Sequence, residues 1–168
     1  LTNAQLLVLK ADILLDPVLS ALPNTDDDAF TIAAAYNAAA VPDFWVWRSR
    51  VSQEEIVGIT TADVTNWSWT LYIGRSAAER DGWREMFADT GAINFARPNV
   101  RQGLADIFSG VTGVAQRTHL LAIGRRQSTR AEKLFATGTG STASPATSAF
   151  SDGFALTYQD VRKARSLP

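Results

Sequence analysis

The chain has 168 residues, of which 46% are hydrophobic and 20% are charged, and it contains no cysteine. This length suits one domain with a single core, and the lack of cysteine excludes a disulfide framework and a thiolate metal site. The formal net charge of −1 gives no general reason to expect a nucleic-acid-binding protein.

Opposite charges are concentrated toward the two ends of the chain. Residues 1–47 contain one basic residue against six acids, a net charge of −5, whereas residues 110–168 contain eight basic residues against three acids, a net charge of +5. Such poles favour head-to-tail contact between identical copies, which can close into a ring. They are equally compatible with the two ends meeting inside one fold.

The first predicted helix begins at a capping box formed by Thr2 and Gln5 and ends at Asp16, which precedes a proline. Its apolar run, residues 6–15, is too short to span a bilayer and is interrupted by two charged residues. The basic start and small-residue cleavage site of a secretory signal are also missing. We therefore expect a soluble, unexported protein.

A second helix is predicted to begin after a cap at Asn24 or Thr25 and to continue through residues 29–40 until Val41-Pro42 stops it. The three aspartates at positions 26–28 then lie in its first turn, where the helix dipole favours negative charge. A metal site is the alternative for these aspartates, but the spaced ligands and turn glycine of a calcium loop are missing. The sequence therefore favours a helix start over a metal site.

Aromatic residues dominate the middle of the chain. Residues 44–47 form a short apolar run that suits either a strand or a loop, and Ser52 caps a short helix that reaches about Ile59. An aromatic stripe then predicts one long helix from Ser68 to Ala88. Because tryptophans alternate with arginines here, stacking on nucleic-acid bases is one interpretation, but burial in a core or interface is the favoured one.

Two further helices are predicted after Gly91. Pro98 suits the first turn of a helix that stops near Gly110, and a basic helix follows over residues 113–136. In this second helix Arg126, Arg130 and Lys133 share one face and form a basic ridge.

The basic ridge has two interpretations. It suits an acidic partner surface or DNA phosphates, and the alternative is a solvated face partly paired by Glu132. His119 lies in the same helix without a neighbouring carboxylate or serine, so we expect an ordinary packed or surface role for it rather than a catalytic one.

The last part of the chain begins with a low-complexity stretch, residues 136–147. A nucleotide-binding loop is rejected there, because a helix precedes its glycines and the P-loop lysine is missing. Asp152-Gly153 forms a turn pair whose flanks suit a short β-hairpin, and Thr157 caps a terminal helix. Such a segment buries too little apolar area to offset an ordering cost of roughly 1–2 kcal/mol per residue. We therefore predict a helical core over residues 1–136 and an extended arm over residues 137–168 that docks on neighbouring subunits.

Much of the chain resembles small proteins encoded among the head and neck genes of tailed bacteriophages. The resemblance is carried by RPNVRQGLADIFSG (97–110), TRAEKLFATGTG (129–140), SPAT (144–147), LTYQDV (156–161), AAAYN (33–37) and FWVWR (44–48). It implies a helical adaptor ring of the head–tail connector, commonly of twelve copies, which docks under the portal and surrounds the DNA channel through which the genome is ejected. Residues 62–76 do not match.

The fold class predicted from these features is mainly α, a small helical bundle with a long C-terminal arm. We predict a structural virion protein, made in the host cytoplasm, whose partners are the portal protein, other neck and tail proteins, further copies of itself and, without sequence preference, genomic DNA, and which has no membrane partner. The residues predicted to contact the portal, the DNA channel or neighbouring subunits are Arg117, Arg125, Arg126, Arg130, Lys133, Phe150, Phe154, Tyr158, Arg162 and Arg165.

Two alternatives to the connector ring stay open. One is a tail-completion or tail-terminator ring, and the other is a DNA-binding packaging factor that uses the basic ridge. We predict no catalytic, cofactor-binding or metal-binding residues, since the sequence pairs no nucleophile with an adjacent base and clusters no metal ligands.

Overall fold

A computed structural model describes residues 1–58 and 67–168. The described part of the chain is mainly α and contains ten α-helices, so the predicted fold class is confirmed. The chain forms two compact units, which we call unit 1 (Leu1–Trp45 with Gln127–Pro168) and unit 2 (Val46–Arg126). This division differs from the predicted split after residue 136, because the last quarter of the chain packs with the first quarter.

Unit 1 is a helical bundle. Its helices are α1 (Asn3–Leu15), α2 (Pro17–Ser20), α3 (Asp26–Asn37), α9 (Arg130–Phe135) and α10 (Tyr158–Ser166). The terminal helix α10 packs on both α1 and α3. The core between them is aliphatic and includes Leu6, Leu9, Ile13, Ile32, Val161 and Ala164.

Local sequence signals set the ends of the first helices as expected. Thr2 and Gln5 form the predicted capping box of α1. Asp16 ends α1 and accepts hydrogen bonds from the first backbone N–H groups of α2. Thr25 caps α3, whose first turn holds the three aspartates at positions 26–28, so the helix-start interpretation of this acidic run is confirmed.

The segment 137–168 is built into unit 1 and is not an extended arm. Leu156 is 3% exposed and Val161 is fully buried, both in the same core as α1 and α3. Asn37 brackets Leu156: its Oδ1 accepts from the Leu156 N–H at 2.7 Å, and its Nδ2 donates to the Leu156 carbonyl at 2.9 Å. These contacts offset the ordering cost within the same chain, which is why docking on a neighbour is not required.

The low-complexity stretch is also anchored. The backbone of Trp45 donates to the Gly140 carbonyl at 2.7 Å and accepts from the Ala146 N–H at 2.8 Å. Thr137 and Thr147 form an antiparallel bridge. The predicted turn at Asp152-Gly153 is present, with Gly153 at φ +84°. Its flanking residues form no described strand, so the predicted hairpin is absent from this part of the chain, and the rings of Phe150 and Phe154 stack across the turn.

Unit 2 combines short strands with helices. Its elements are β1 (Trp45–Trp47), β2 (Val51–Ser52), α4 (Gln53–Val57), α5 (Trp69–Ile73), α6 (Ala77–Ala88), β3 (Ala92–Ile93), α7 (Pro98–Ile107), α8 (Val114–Ile123) and β4 (Arg125–Gln127). The first residue of β1 and the last residue of β4 belong to unit 1. Strand β1 pairs with β4, and β2 pairs antiparallel with β3, with Val51 opposite Ile93. Trp83, Phe95 and Phe108 fill the core.

Two predicted long helices are each broken in two. The helix predicted over residues 68–88 is α5 and α6, because Ser76 forms a capping box that restarts the chain as α6. The helix predicted over residues 113–136 is α8, β4 and α9. Helix α8 ends at Gly124, where a Cβ would lie 2.3 Å from the Phe95 ring, and Thr129 caps α9. The end of the helix predicted to reach Ile59 lies outside the described residues.

We predict that Leu156→Ala lowers the free energy of unfolding of unit 1 by about 2–5 kcal/mol, because it leaves a cavity in the core. Chemical denaturation followed by circular dichroism at 222 nm measures this change. The matched control is Gln159→Ala on the exposed side of α10, which leaves the midpoint unchanged. We also expect deletion of residues 137–168 to unfold unit 1, because it removes Leu156, Val161 and Ala164 from the core. Equal midpoints for Leu156→Ala and the control would show that the segment is not part of the core.

Candidate functional site

The predicted basic ridge does not form. Arg126 lies on strand β4 and Arg130 begins α9, so the two side chains do not follow one helix face. Lys133 donates to the Pro42 carbonyl at 3.5 Å and lies 5.8 Å from the centre of the Phe44 ring. The prediction failed because the i, i+4, i+7 spacing has meaning only inside one unbroken helix.

Arg130 ties α9 to α1 through two carboxylates. Its Nη2 lies 3.0 Å from Asp12 Oδ2 and its Nη1 lies 2.8 Å from Asp16 Oδ2. The guanidinium stacks 4.4 Å from the centre of the Tyr36 ring, and the Tyr36 hydroxyl donates to Asp12. Arginine suits this position because its planar group can pair with carboxylates and stack on a ring at the same time.

The cluster around Arg130 shifts the acidity of its members. The hydrogen bond from Arg130 holds the pKa of Asp16 below its usual range. Burial raises the pKa of Tyr36, and the hydrogen bond that its hydroxyl donates to the Asp12 carboxylate raises it further. Both shifts favour the charge state that keeps the network intact at neutral pH.

Basic residues of α10 are engaged in the same way. Arg162 pairs with Asp26, and Arg165 donates to the carbonyls of Leu22 at 2.6 Å and Pro23 at 2.9 Å. The acidic and basic ends of the chain therefore meet within unit 1. Of the two interpretations of the charge segregation, the structure shows contact inside one fold.

The remaining predicted contact residues are divided between the two units. In unit 2, Arg117 donates to the carbonyls of Phe108 and Gly110, and Arg125 and Arg126 are half-buried on β4. In unit 1, the rings of Phe150 and Phe154 stack with centres 3.7 Å apart, and Tyr158 stacks on Phe30 at 4.2 Å. The ten residues therefore do not form one surface within either unit.

An exposed apolar face on α1 was missed by the sequence reasoning. We call it the outer face of α1; it consists of Ala4, Leu7, Val8, Ala11, Leu14 and Leu15. Leu15 is 83% exposed, Leu14 63% and Leu7 48%. The helical spacing of Leu6, Leu9, Ile13 and Leu14 in the sequence suggests one apolar stripe, but residues 4, 7, 8, 11, 14 and 15 form a second stripe at heptad spacing, which was the signal available.

The outer face of α1 carries no charge. The two charged residues of α1 point elsewhere: Lys10 donates to the Leu167 carbonyl at 2.5 Å, and Asp12 pairs with Arg130. A surface helix normally covers its apolar stripe and exposes a polar face. Here only the side that faces the unit 1 core is covered.

A groove lies beside α1 in the same unit. We call it the α3–α9 groove; it is lined by Asp12, Ala35, Ala38, Ala39, Val41, Arg130, Lys133 and Leu134 and has a volume of about 790 Å³. Three of its lining residues are alanines, and Val41 is 89% exposed. Asp12, Arg130 and Lys133 also line it, and Asp12 and Arg130 form an ion pair, so the groove combines apolar and charged side chains.

In unit 2 the aromatic residues pack on one another. Trp83 is 2% exposed and contacts the rings of Trp67, Phe87 and Phe108, with centres 5.0–5.7 Å apart. This burial agrees with the favoured packing role for Trp83, whereas Trp69 is 52% exposed. His119 is buried, and its Nε2 lies 2.9 Å from the Ile56 carbonyl, which is the packed role expected.

Wider comparisons add no identity to these surfaces. Within residues 1–58 and 67–168 no helix is long and apolar enough to cross a membrane, and no group of three or more His, Cys, Asp or Glu side chains is placed to hold a metal ion. Comparison of the chain with protein-family models, with curated proteins and with solved structures found no match.

We predict that acid weakens unit 1 partly through Asp16. The pKa of Asp16 is lower in the folded state than its unfolded pKa of about 3.9. Asp16 therefore stabilises the fold fully at pH values above the unfolded pKa, and this contribution is lost as the pH falls through the lower folded pKa. Arg130→Gln should lower stability at neutral pH and flatten the acid-induced loss.

Urea unfolding at several pH values between about 2 and 7 measures both effects. Arg84→Gln, which removes an exposed ion pair with Asp81 in unit 2, is the matched control and should keep the wild-type pH dependence. An Arg130→Gln profile parallel to that of the wild type would contradict the role of the pair.

Proposed function

We propose that this chain is a structural subunit of a protein assembly, and that the assembly is the head–tail connector of a tailed-phage virion. The observation that carries the first part is the outer face of α1, an uncharged aliphatic surface exposed on a folded unit. The second part rests on the resemblance of residues 97–110, 129–140 and 156–161 to phage head and neck proteins.

Apolar exposure on this scale favours a protein partner. The exposed side chains of the outer face together present on the order of 500 Å² of apolar surface, which is the size of the largest apolar patch on a typical monomer, and such a patch is often functional. Burying one such leucine stabilises a complex by roughly 1.5–3 kcal/mol before the costs of association. A DNA surface offers charge to an uncharged helix face and gives no comparable gain.

In this proposal the subunit contacts its partners through α1, whereas the sequence predicts contact through the C-terminal segment. Arg130, Arg162 and Arg165 form ion pairs and hydrogen bonds with acidic side chains and backbone carbonyls of unit 1. In this proposal they stabilise the subunit and do not bind the portal. The DNA-binding alternative loses its main support, because it depended on a continuous basic ridge. The tail-terminator alternative shares the assembly class and differs in the partner.

We predict that the protein is a component of purified phage particles and is located at the head–tail junction. Mass spectrometry of particles, followed by gold-labelled antibody in electron micrographs, measures presence and position. Pull-downs with purified portal protein and, separately, with purified tail-tube protein distinguish the two ring assignments.

Capture by the portal with label at the neck supports the connector, and capture by the tail tube alone supports a tail terminator. Absence from particles together with tight, salt-sensitive binding to duplex DNA would overturn the proposal in favour of a packaging factor.

A further inference from the structure

We propose that the outer face of α1 in one copy packs into the α3–α9 groove of the next copy. This inference rests on the proposed function in one respect, that the chain acts within an assembly, and it names the partner as a second copy of the chain. The contact joins unlike surfaces, so it is heterologous and can repeat from copy to copy until a ring closes.

The ridge side of the contact is a regular helix surface. Leu7 and Leu14 lie seven residues apart, two turns along α1, and Leu15 lies beside them. Their side chains project from a helix whose inner face is fixed by Leu6 and Ile13 in the core. The ridge is therefore held rigidly before any partner arrives, which limits the entropy cost of docking.

The groove side complements the ridge in size. Ala35, Ala38 and Ala39 leave room where larger side chains would fill the space, and the volume of about 790 Å³ accepts several aliphatic side chains. Leu134 and Val41 supply apolar walls. Small residues in one surface and leucines in the other allow close packing of a helix into a groove.

The charges at the groove also favour an uncharged occupant. Arg130 is neutralised by Asp12 and Asp16, and Lys133 is drawn to the Pro42 carbonyl and the Phe44 ring. The charged groups at the border are thus satisfied within their own subunit. An uncharged occupant leaves them undisturbed, whereas a charged one would compete with these pairs.

The positions of the two surfaces favour a second copy as the occupant. Asp12 borders the groove, while Ala11 and Leu15 lie on the outer face, so the two surfaces are on different sides of α1. A subunit cannot fill its own groove with its own ridge, but every copy carries one of each. The ridge alone falls below the roughly 800 Å² per partner of a stable interface, so a single contact is weak and gains stability when the ring closes.

Engineered cysteines test this contact without background, because the natural chain has none. Leu14→Cys and Val41→Cys are prepared separately and treated with a short bismaleimide cross-linker, alone and mixed. We expect a covalent dimer in the mixture and little in either variant alone. The double variant should give a ladder of dimers, trimers and higher species, and its largest band reports the ring number.

Three results would overturn the contact. A dimer formed by Leu14→Cys alone shows that α1 packs on α1 of its partner. A mixture of Val41→Cys with Gln159→Cys, placed on the exposed side of α10, gives the background, and equal yield in the two mixtures shows random collision. A monomer at all concentrations shows no self-contact.

A second measurement does not depend on cross-linking. Sedimentation of Leu14→Glu should show association weakened about tenfold or more, because a carboxylate in the groove loses its hydration and competes with Asp12 and Asp16 for Arg130. Its circular dichroism should match that of the wild type, since Leu14 is 63% exposed in the subunit. Unchanged association of a folded Leu14→Glu would overturn the proposal.

The phage assignment is tested separately from the contact between copies. A ladder from a protein that is absent from particles keeps the interface and rejects the connector. Labelled particles with no ladder keep the connector and reject the interface.

Discussion

Unit 1 depends on the return of the C-terminal segment to the N-terminal helices. Helix α10 packs on α1 and α3, and Leu156 is fixed by the side chain of Asn37. Without α10, the inner residues of α1 and α3 would lose their cover. Because this closure occupies residues 137–168, the segment is not available as an exchanged arm, and the outer face of α1 becomes the exposed apolar surface of the unit.

The charge pattern follows from the same closure. Arg130 reaches Asp12 and Asp16, and Arg162 reaches Asp26, so opposite charges far apart in sequence neutralise each other inside one subunit. These pairs are partly exposed, and their main effect is to select which elements meet rather than to add much stability. Assembly then depends on shape and apolar contact, which suits the uncharged outer face of α1 and the α3–α9 groove.

Local features were predictable from the sequence, and long-range ones were not. The caps at Thr2 and Thr25 and the terminal helix are encoded by side chains within four residues of the backbone groups that they bind. The need for a residue without a side chain at position 124 depends on Phe95, which lies 29 positions away, and no local pattern reports it. The C-terminal segment packs into unit 1 because Leu156 and Val161 are buried there, and this burial needs partners from the other end of the chain. The outer face of α1 was visible as a second apolar stripe, but it was read as part of one stripe.

Hydrogen–deuterium exchange of the protein, compared between dilute and assembled samples, tests the central claim most directly. We expect slow exchange across α10 in both samples, because that helix is closed onto its own subunit. Added protection on assembly should appear in α1 and in the residues that line the α3–α9 groove. Fast exchange of α10 in the dilute sample, with protection gained only on assembly, would show that the C-terminal segment docks on a neighbour and would contradict this account.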